Sequence, residues 1–349
     1  MREITIGPLD AGQRLDKFLM RYFKEAEKGF LYRMLRKKNI LLNDKKAAGS
    51  EQLLAGDVLK VFFSEETFEE MRGKDAPLRK SPGAGLSQGP STLEQKPLAL
   101  LYEDSYIMMV NKPAGLLSQK ASAEDQSLSE LIAAYLQDQT GAASQGFTPS
   151  VAHRLDRNTS GLVMAGKNLP GQQLLSFLLR ERLVEKYYLA LVTGSLSAPL
   201  SSVCYWQKDI HSNRVSILER PEPDTEKVEL IAYPAENLEA GFSLLKVRLI
   251  SGKSHQIRAQ LAHAGYPIAG DAKYGDQRVN LALAARLGRP LRVQLLHSYE
   301  VVFPAALPPD VLSAEACKAF SDLKSKTFQA PPPPFFRQVL AGLGGHYGE

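Results

Sequence analysis

The segment His153-Arg154-Leu155-Asp156-Arg157-Asn158-Thr159-Ser160-Gly161-Leu162 sets one carboxylate between two guanidinium groups and follows it with a turn. A carboxylate beside cations is favoured in its charged form, which suits a nucleophile better than a general acid. Asn158 to Gly161 are turn residues, and from Leu162 the chain becomes apolar, so the decapeptide reads as a loop feeding a strand. Taken alone, the same ten residues are equally those of a surface ion pair on a loop, and local composition favours that plainer reading.

Strand candidates are dense around this loop. Leu98–Tyr102 and Tyr106–Val110 flank the turn Glu103-Asp104-Ser105, and Leu162–Ala165, Tyr187–Val192 and Ser243–Ile250 follow. In the last of these, Leu245, Val247 and Leu249 alternate with Lys246 and Arg248, the period of a half-buried strand. Leu174, Leu175 and Leu178 predict a helix across Gly171–Arg182. Ser254 to His263 predict another, with Ser254 as N-cap and Gly265 as its stop. Strands and helices do not alternate regularly, so the expected class is α+β, with one sheet-centred domain over residues 97–330. The run Pro331–Pro334 can continue neither a helix nor a central strand, and residues 331–349 are expected as a Pro-rich tail.

The other end of the chain carries the charge. The 349 residues have a formal net charge of +5, yet residues 11–47 alone hold eleven basic against four acidic side chains, a local excess of seven. The positive field therefore sits at one end. Leu15, Phe18, Leu19 and Tyr22 have the spacing of a short amphipathic helix, and Leu31, Met34 and Leu35 repeat it. On the second helix Arg33, Arg36 and Lys37 share a separate exposed face, although a solvated face alone accounts for such a pattern. With strands at Ile40 to Leu42 and Val58 to Phe63, residues 1–64 read as a compact basic α/β module. Residues 65–96, including the Gly-, Pro-, Ser- and Lys-rich stretch Arg72–Pro90, read as a flexible linker.

The rest is exclusion. No apolar run approaches the roughly 18 residues of a membrane helix, and Met1 to Gln13 lack the apolar core of a signal peptide. Cys204 and Cys317 have no metal-type spacing. A cytoplasmic, reduced, monomeric protein with no metal is expected.

Four further segments accompany the Asp156 loop in order: Val110-Asn111-Lys112-Pro113-Ala114-Gly115-Leu116, Lys186-Tyr187-Tyr188-Leu189-Ala190-Leu191-Val192-Thr193-Gly194, Ser251-Gly252-Lys253-Ser254-His255-Gln256-Ile257-Arg258, and Gly265-Tyr266-Pro267-Ile268-Ala269-Gly270-Asp271-Ala272-Lys273-Tyr274-Gly275. Together the five segments resemble the RluA-type pseudouridine synthases, over roughly residues 97–305. The basic module resembles the S-four-like RNA-binding domain, although its loop Asn43-Asp44-Lys45 lacks the glycine expected there.

The resemblance implies a catalytic fold with a central, largely antiparallel mixed sheet flanked by helices and loops. It also implies isomerisation of uridine to pseudouridine in RNA, foremost ribosomal RNA of the large subunit, with transfer RNA as the alternative and with no cofactor. Position by position, the family's nucleophile falls on Asp156, its active-site tyrosine on Tyr188 rather than Tyr187, and its basic partner for the aspartate on Arg258. Arg154 falls on the arginine that takes the place of the flipped base. Ile257, Arg33, Arg36 and Lys37 join Arg154 as expected RNA contacts. Lys253 stands where arginine is commoner and Gln260 where histidine often stands, and neither touches the four central positions. His153 and His255 are expected as structural donors, and the sequence offers no partner for His263 or His297. The competing readings are an RNA-binding protein with an inactive synthase domain, and a glycosidase-like hydrolase that would release free uracil.

Overall fold

The computed structural model describes residues 1–7, 10–73, 98–122, 124–140, 147–209, 214–309 and 312–346. The N-terminal module runs β1 (Arg2–Thr5), α1 (Leu15–Tyr22), α2 (Lys28–Arg36), β2 (Ile40–Leu42), β3 (Lys45–Lys46), β4 (Val58–Val61) and α3 (Glu65–Arg72). Its antiparallel sheet has the order β1-β4-β2-β3. The apolar stripe read from the sequence is its core: Leu15, Phe18 and Leu19 of α1 are fully buried, and Leu31 and Leu35 of α2 pack with them. Arg33, Arg36 and Lys37 are exposed, Lys37 as the residue that caps the C-terminus of α2.

The expected linker 65–96 is corrected at its start, because α3 belongs to the module. Ser64 caps this helix by accepting the Thr67 N–H at 3.2 Å. Phe68 is buried edge-on against Phe23, with the Arg2 guanidinium 4.2 Å above its ring. One apolar anchor in a Glu-rich helix leaves little periodicity to read. Most of the Arg72–Pro90 stretch lies outside the described residues.

The larger unit runs β5 (Leu100–Glu103), β6 (Ile107–Lys112), α4 (Leu128–Thr140), β7 (Ser150–Val151), β8 (Ser160–Gly166), α5 (Leu169–Arg180), β9 (Glu185–Thr193), β10 (Leu200–Asp209), β11 (Arg214–Leu218), β12 (Glu226–Asn237), β13 (Phe242–Leu249), α6 (Gln256–His263), α7 (Gln277–Arg286), β14 (Leu296–Val302), α8 (Ala314–Phe320), β15 (Thr327–Gln329) and α9 (Pro334–Gly342). Its sheet has the order β11-β10-β12-β13-β9-β14-β8-β6-β5, with β7 on β8 and β15 on β14. Among the described strands, the ladders are antiparallel except β14 with β8, so the fold is α+β around a largely antiparallel mixed sheet.

Both faces of the sheet are covered. On one, Ile132 and Leu136 of α4 and Ile257 and Leu261 of α6 pack on Tyr188, Ala190 and Val247. On the other, α5 and α8 cover β6 and β8, while α7 and α9 cover β9 and β13. The expected tail 331–349 is therefore corrected too: Phe336, Val339 and Leu340 of α9 are buried against Leu189 and Leu191. The proline run starts this helix. Pro334 occupies its first turn, where a missing N–H breaks no intrahelical bond. The two units also touch, the Asp10 carboxylate accepting the Phe147 N–H at 2.8 Å.

The Asp156 loop enters the sheet at β8, which runs antiparallel to β6 and parallel to β14. Gly161 sits there at φ 117°, and a β-carbon on it would come within 2.2 Å of the Ser298 carbonyl oxygen. Only glycine lets β14 close against β8 at this point.

Candidate active site

Hydrogen bonds from several elements fix the Asp156 loop. Ser118 Oγ accepts the Leu155 N–H and donates to the Leu155 carbonyl, both at 2.9 Å. The Arg157 carbonyl accepts the Gly115 N–H at 2.8 Å and the Lys112 ammonium at 3.1 Å. That ammonium also donates to the carbonyls of Leu116 at 2.8 Å and Pro113 at 3.0 Å, so it ties two loops together under the aspartate. Lys112 is fully buried. Burial pulls its pKa down to about 7, against an upward pull from the Asp156 charge. Gln294 Nε2 holds Thr159 Oγ1 at 3.0 Å.

His297, for which the sequence offered no partner, closes the set. Its Nε2 lies 2.9 Å from the Ala330 carbonyl, which can only accept, so Nε2 carries the proton and Nδ1 accepts the Ser160 hydroxyl at 2.9 Å. Burial pushes its pKa down to about 4, which keeps it neutral. His153 is an acceptor rather than the expected donor: its Nε2 takes the Met164 N–H at 3.2 Å. Burial and the nearby Lys186 push its pKa down to about 3.

The loop presents Asp156 outward, its side chain 24% exposed, and its partner comes from α6. Arg258 Nη1 donates to Asp156 Oδ2 at 2.8 Å. The rest of the guanidinium is held by Asp271, which has no exposed surface: Nε donates to Oδ2 at 2.6 Å and Nη2 to Oδ1 at 2.9 Å. Asp271 Oδ1 also accepts the Lys273 and Tyr274 N–H groups. Burial works to raise the Asp271 pKa, yet the Arg258 hydrogen bonds and charge, aided by these two amides, hold it below the usual carboxylate value. Arg258, whose burial works the other way, is raised by its two carboxylates. The result is one fixed guanidinium shared between a buried carboxylate and an accessible one.

The remaining expected residues fall as follows. Tyr188 is 5% exposed on the same face of β9, close enough for the Asp156 charge to matter. Burial, with that charge, raises its pKa to about 12, partly offset by Ser298. Arg154 is exposed and makes no hydrogen bond or ion pair among the described residues. Among the described residues Arg157, 61% exposed, reaches only Asp125, at 3.6 Å. Neither arginine beside Asp156 in sequence is thus its partner. Ile257 departs from expectation: at 4% exposure, in one apolar cluster with Leu155 and Tyr188, it packs in the core and offers little surface to RNA. The start of α6 is buried, so its side chains face the core. Ser254 is not the N-cap of α6 either. His255 occupies that position in the left-handed region, φ 55°, without a side-chain cap.

The His255 ring instead bonds Tyr274 at 3.1 Å, and Tyr274 Oη also accepts the Val215 N–H. Burial lowers the His255 pKa, with Asp156 and Arg258 pulling in opposite directions. Among the described residues no group of three or more His, Cys, Asp or Glu side chains could hold a metal ion, and no helix is long and apolar enough to cross a membrane.

Asp271 and Lys112 stand in the motif segments of the sequence but had no assigned role there. Asp271 lies thirteen residues from Arg258, and only the fold brings them together.

Residues 106–263 match the family described as RNA pseudouridylate synthase. The ribosomal large subunit pseudouridine synthase C of Vibrio cholerae is 31% identical over 293 residues, covering 84% of this chain and 85% of its own. An uncharacterised RNA pseudouridine synthase of Mycoplasma pneumoniae is 27% identical over 335 residues, 95% of each chain. Among solved structures, human RNA pseudouridylate synthase domain containing 4 shares the fold at a TM-score of 0.56 and 18% identity, over 70% of this chain and 93% of that one. With the ordered motifs converging on one site and a relative above 30% identity across most of its length, the chain belongs to the RluA-type family of RNA pseudouridine synthases.

Proposed function

We propose that this synthase isomerises uridines of large-subunit ribosomal RNA and that Asp156 is its nucleophile. The observation that carries the reading is the chain Asp156–Arg258–Asp271, which holds one accessible carboxylate oriented at the end of a hydrogen-bonded loop. The substrate assignment draws on the printed names of the relatives, of which the Vibrio cholerae protein is named for the ribosomal large subunit.

In the reaction the bond from the ribose C1′ to N1 of uracil breaks, the base turns, and C5 bonds to C1′. The C5 proton is lost and N1 gains one, so nothing is oxidised or hydrolysed. Asp156 acts on the sugar as the glycosidic bond breaks. Tyr188 lines the floor of the site with its hydroxyl protonated at neutral pH, available to relay the C5 proton. Arg154, exposed and without a protein partner among the described residues, enters the space that the flipped uridine leaves, a step that costs about a few kcal/mol of stacking. Arg33, Arg36 and Lys37 on the basic module, which resembles an S-four-like domain, contact RNA phosphates and raise the local concentration of substrate.

Pseudouridine mapping of total RNA from cells with and without the gene tests this. Loss of signal at large-subunit sites is expected. Loss confined to transfer RNA would overturn the substrate assignment, and an unchanged map would overturn the function.

A further inference from the structure

Lys186 lies on β9 two residues before Tyr188, so strand alternation puts both side chains on the active face, about 7 Å apart along the strand. Its neighbours on β9, Glu185 and Tyr187, turn to the opposite face, where they bond each other and meet Arg248 and Lys246. Lys186 is half-buried, and its Nζ is 3.5 Å from where a β-carbon on Gly252 would stand, against the exposed loop that leads into α6.

This ammonium makes no hydrogen bond or ion pair with any described residue. The charged neighbour that acts on it is Arg182, another cation, and the ring it acts on is the neutral His153. Burial first, and Arg182 second, pull its pKa down to about 8. Lys112 makes the contrast plain, because that buried ammonium has three carbonyl acceptors. The Lys186 amine is half-buried yet still reached by solvent, so it has room for an acceptor that the protein does not provide.

The setting says which ligand. Lys186 opens beside Gly252, which carries no side chain, and near the loop that bears Arg154. RNA offers one anionic phosphate per nucleotide, with oxygens suited to an ammonium. We propose that Lys186 forms a phosphate-binding subsite that holds the RNA backbone beside the target nucleotide while its base enters at Asp156. This rests on the reading of the site as one that modifies RNA. The subsite anchors the strand on the same sheet face, one side-chain step along β9 from Tyr188. Because the contact needs the charged amine, its strength declines as pH rises through about 8.

The test compares wild type, Lys186→Met and Lys186→Arg on a large-subunit rRNA transcript, with affinity measured against KCl concentration and thermal melting in parallel. Lys186→Met should weaken binding about tenfold at low salt and reduce the slope of log K against log[salt] by just under one unit, the loss of one phosphate contact. It should also melt close to the wild-type temperature, because the half-buried amine makes no hydrogen bond or ion pair with a described residue. Lys186→Arg should restore most of the slope. An unchanged slope in Lys186→Met overturns the subsite, and so does a lower melting point with unchanged affinity, which marks a structural lysine. Pseudouridine formation by the wild type is scored separately in the same transcript. Failure of the activity reading shows there, and failure of the subsite shows in the slope.

Discussion

Replacing Asp271 by Asn removes one negative charge from a position with no exposed surface and keeps the size of the side chain. The wild-type carboxylate accepts Nε and Nη2 of Arg258 at 2.6 and 2.9 Å and the amides of Lys273 and Tyr274 at 2.8 and 3.1 Å. Asparagine keeps one accepting oxygen and turns an NH2 group towards a donor of Arg258. The guanidinium, its side chain 8% exposed, is then left with Asp156 as its single carboxylate. Neutralising one partner of a buried pair costs about 3–5 kcal/mol. At about 2–4 °C per kcal/mol for a unit of this size, the melting temperature should fall by roughly 6–20 °C. Activity should fall about 100-fold or more, because Arg258 no longer holds Asp156 in one orientation. Calorimetry and tritium release from RNA carrying 5-tritiated uridine measure the two effects. The sign of the pH dependence follows from the depressed Asp271 pKa. Its stabilisation is present above the ordinary value of 3.8 and is lost as pH falls through the lower folded value, so the gap between wild type and variant should narrow below about pH 4. A variant that melts within about 2 °C of wild type at neutral pH would refute the reasoning.

Two further outcomes follow from the site and the module. Tyr188→Phe should slow tritium release by about 100-fold or more while RNA affinity stays within about twofold. Since the phenol is held near pKa 12, the wild-type rate should show no basic limb from this group below about pH 11. A rate within threefold of wild type would remove the hydroxyl from the proton step. Combined replacement of Arg33, Arg36 and Lys37 by Ala should lower the salt slope of RNA binding by about two units, and an unchanged slope would return that helix face to a solvated role.

The sequence displayed the ingredients of the site more clearly than their pairing. Asp156 lies between Arg154 and Arg157, and local reading pairs it with them. In the folded chain both arginines lie exposed, Arg157 pairing with Asp125, and Arg258, 102 residues away, is the partner. That exchange is invisible to composition, because it depends on α6 packing its first turns against the sheet. The ordered segments were legible because each serves the same place: Lys112 and Gly115 under the loop, Tyr188 on the strand behind it, Arg258 on the helix, Asp271 on the following turn. What escaped were elements whose signals conflict with their fate. Pro331–Pro334 signals an end of structure, yet proline is at home in the first turn of α9. The Glu-rich α3 shows one apolar anchor. Strands β10 and β12 carry many polar residues in the outer half of the sheet, and their alternation is blunted.

The most direct measurement is tritium release from 5-tritiated uridine in large-subunit rRNA, by wild type and by Asp156→Asn, with RNA affinity followed in parallel. The account predicts one tritium released per pseudouridine formed by the wild type. It predicts none from the variant, which keeps its affinity because the change removes charge and not size. Near-wild-type release by Asp156→Asn, or free uracil as the wild-type product, would contradict it.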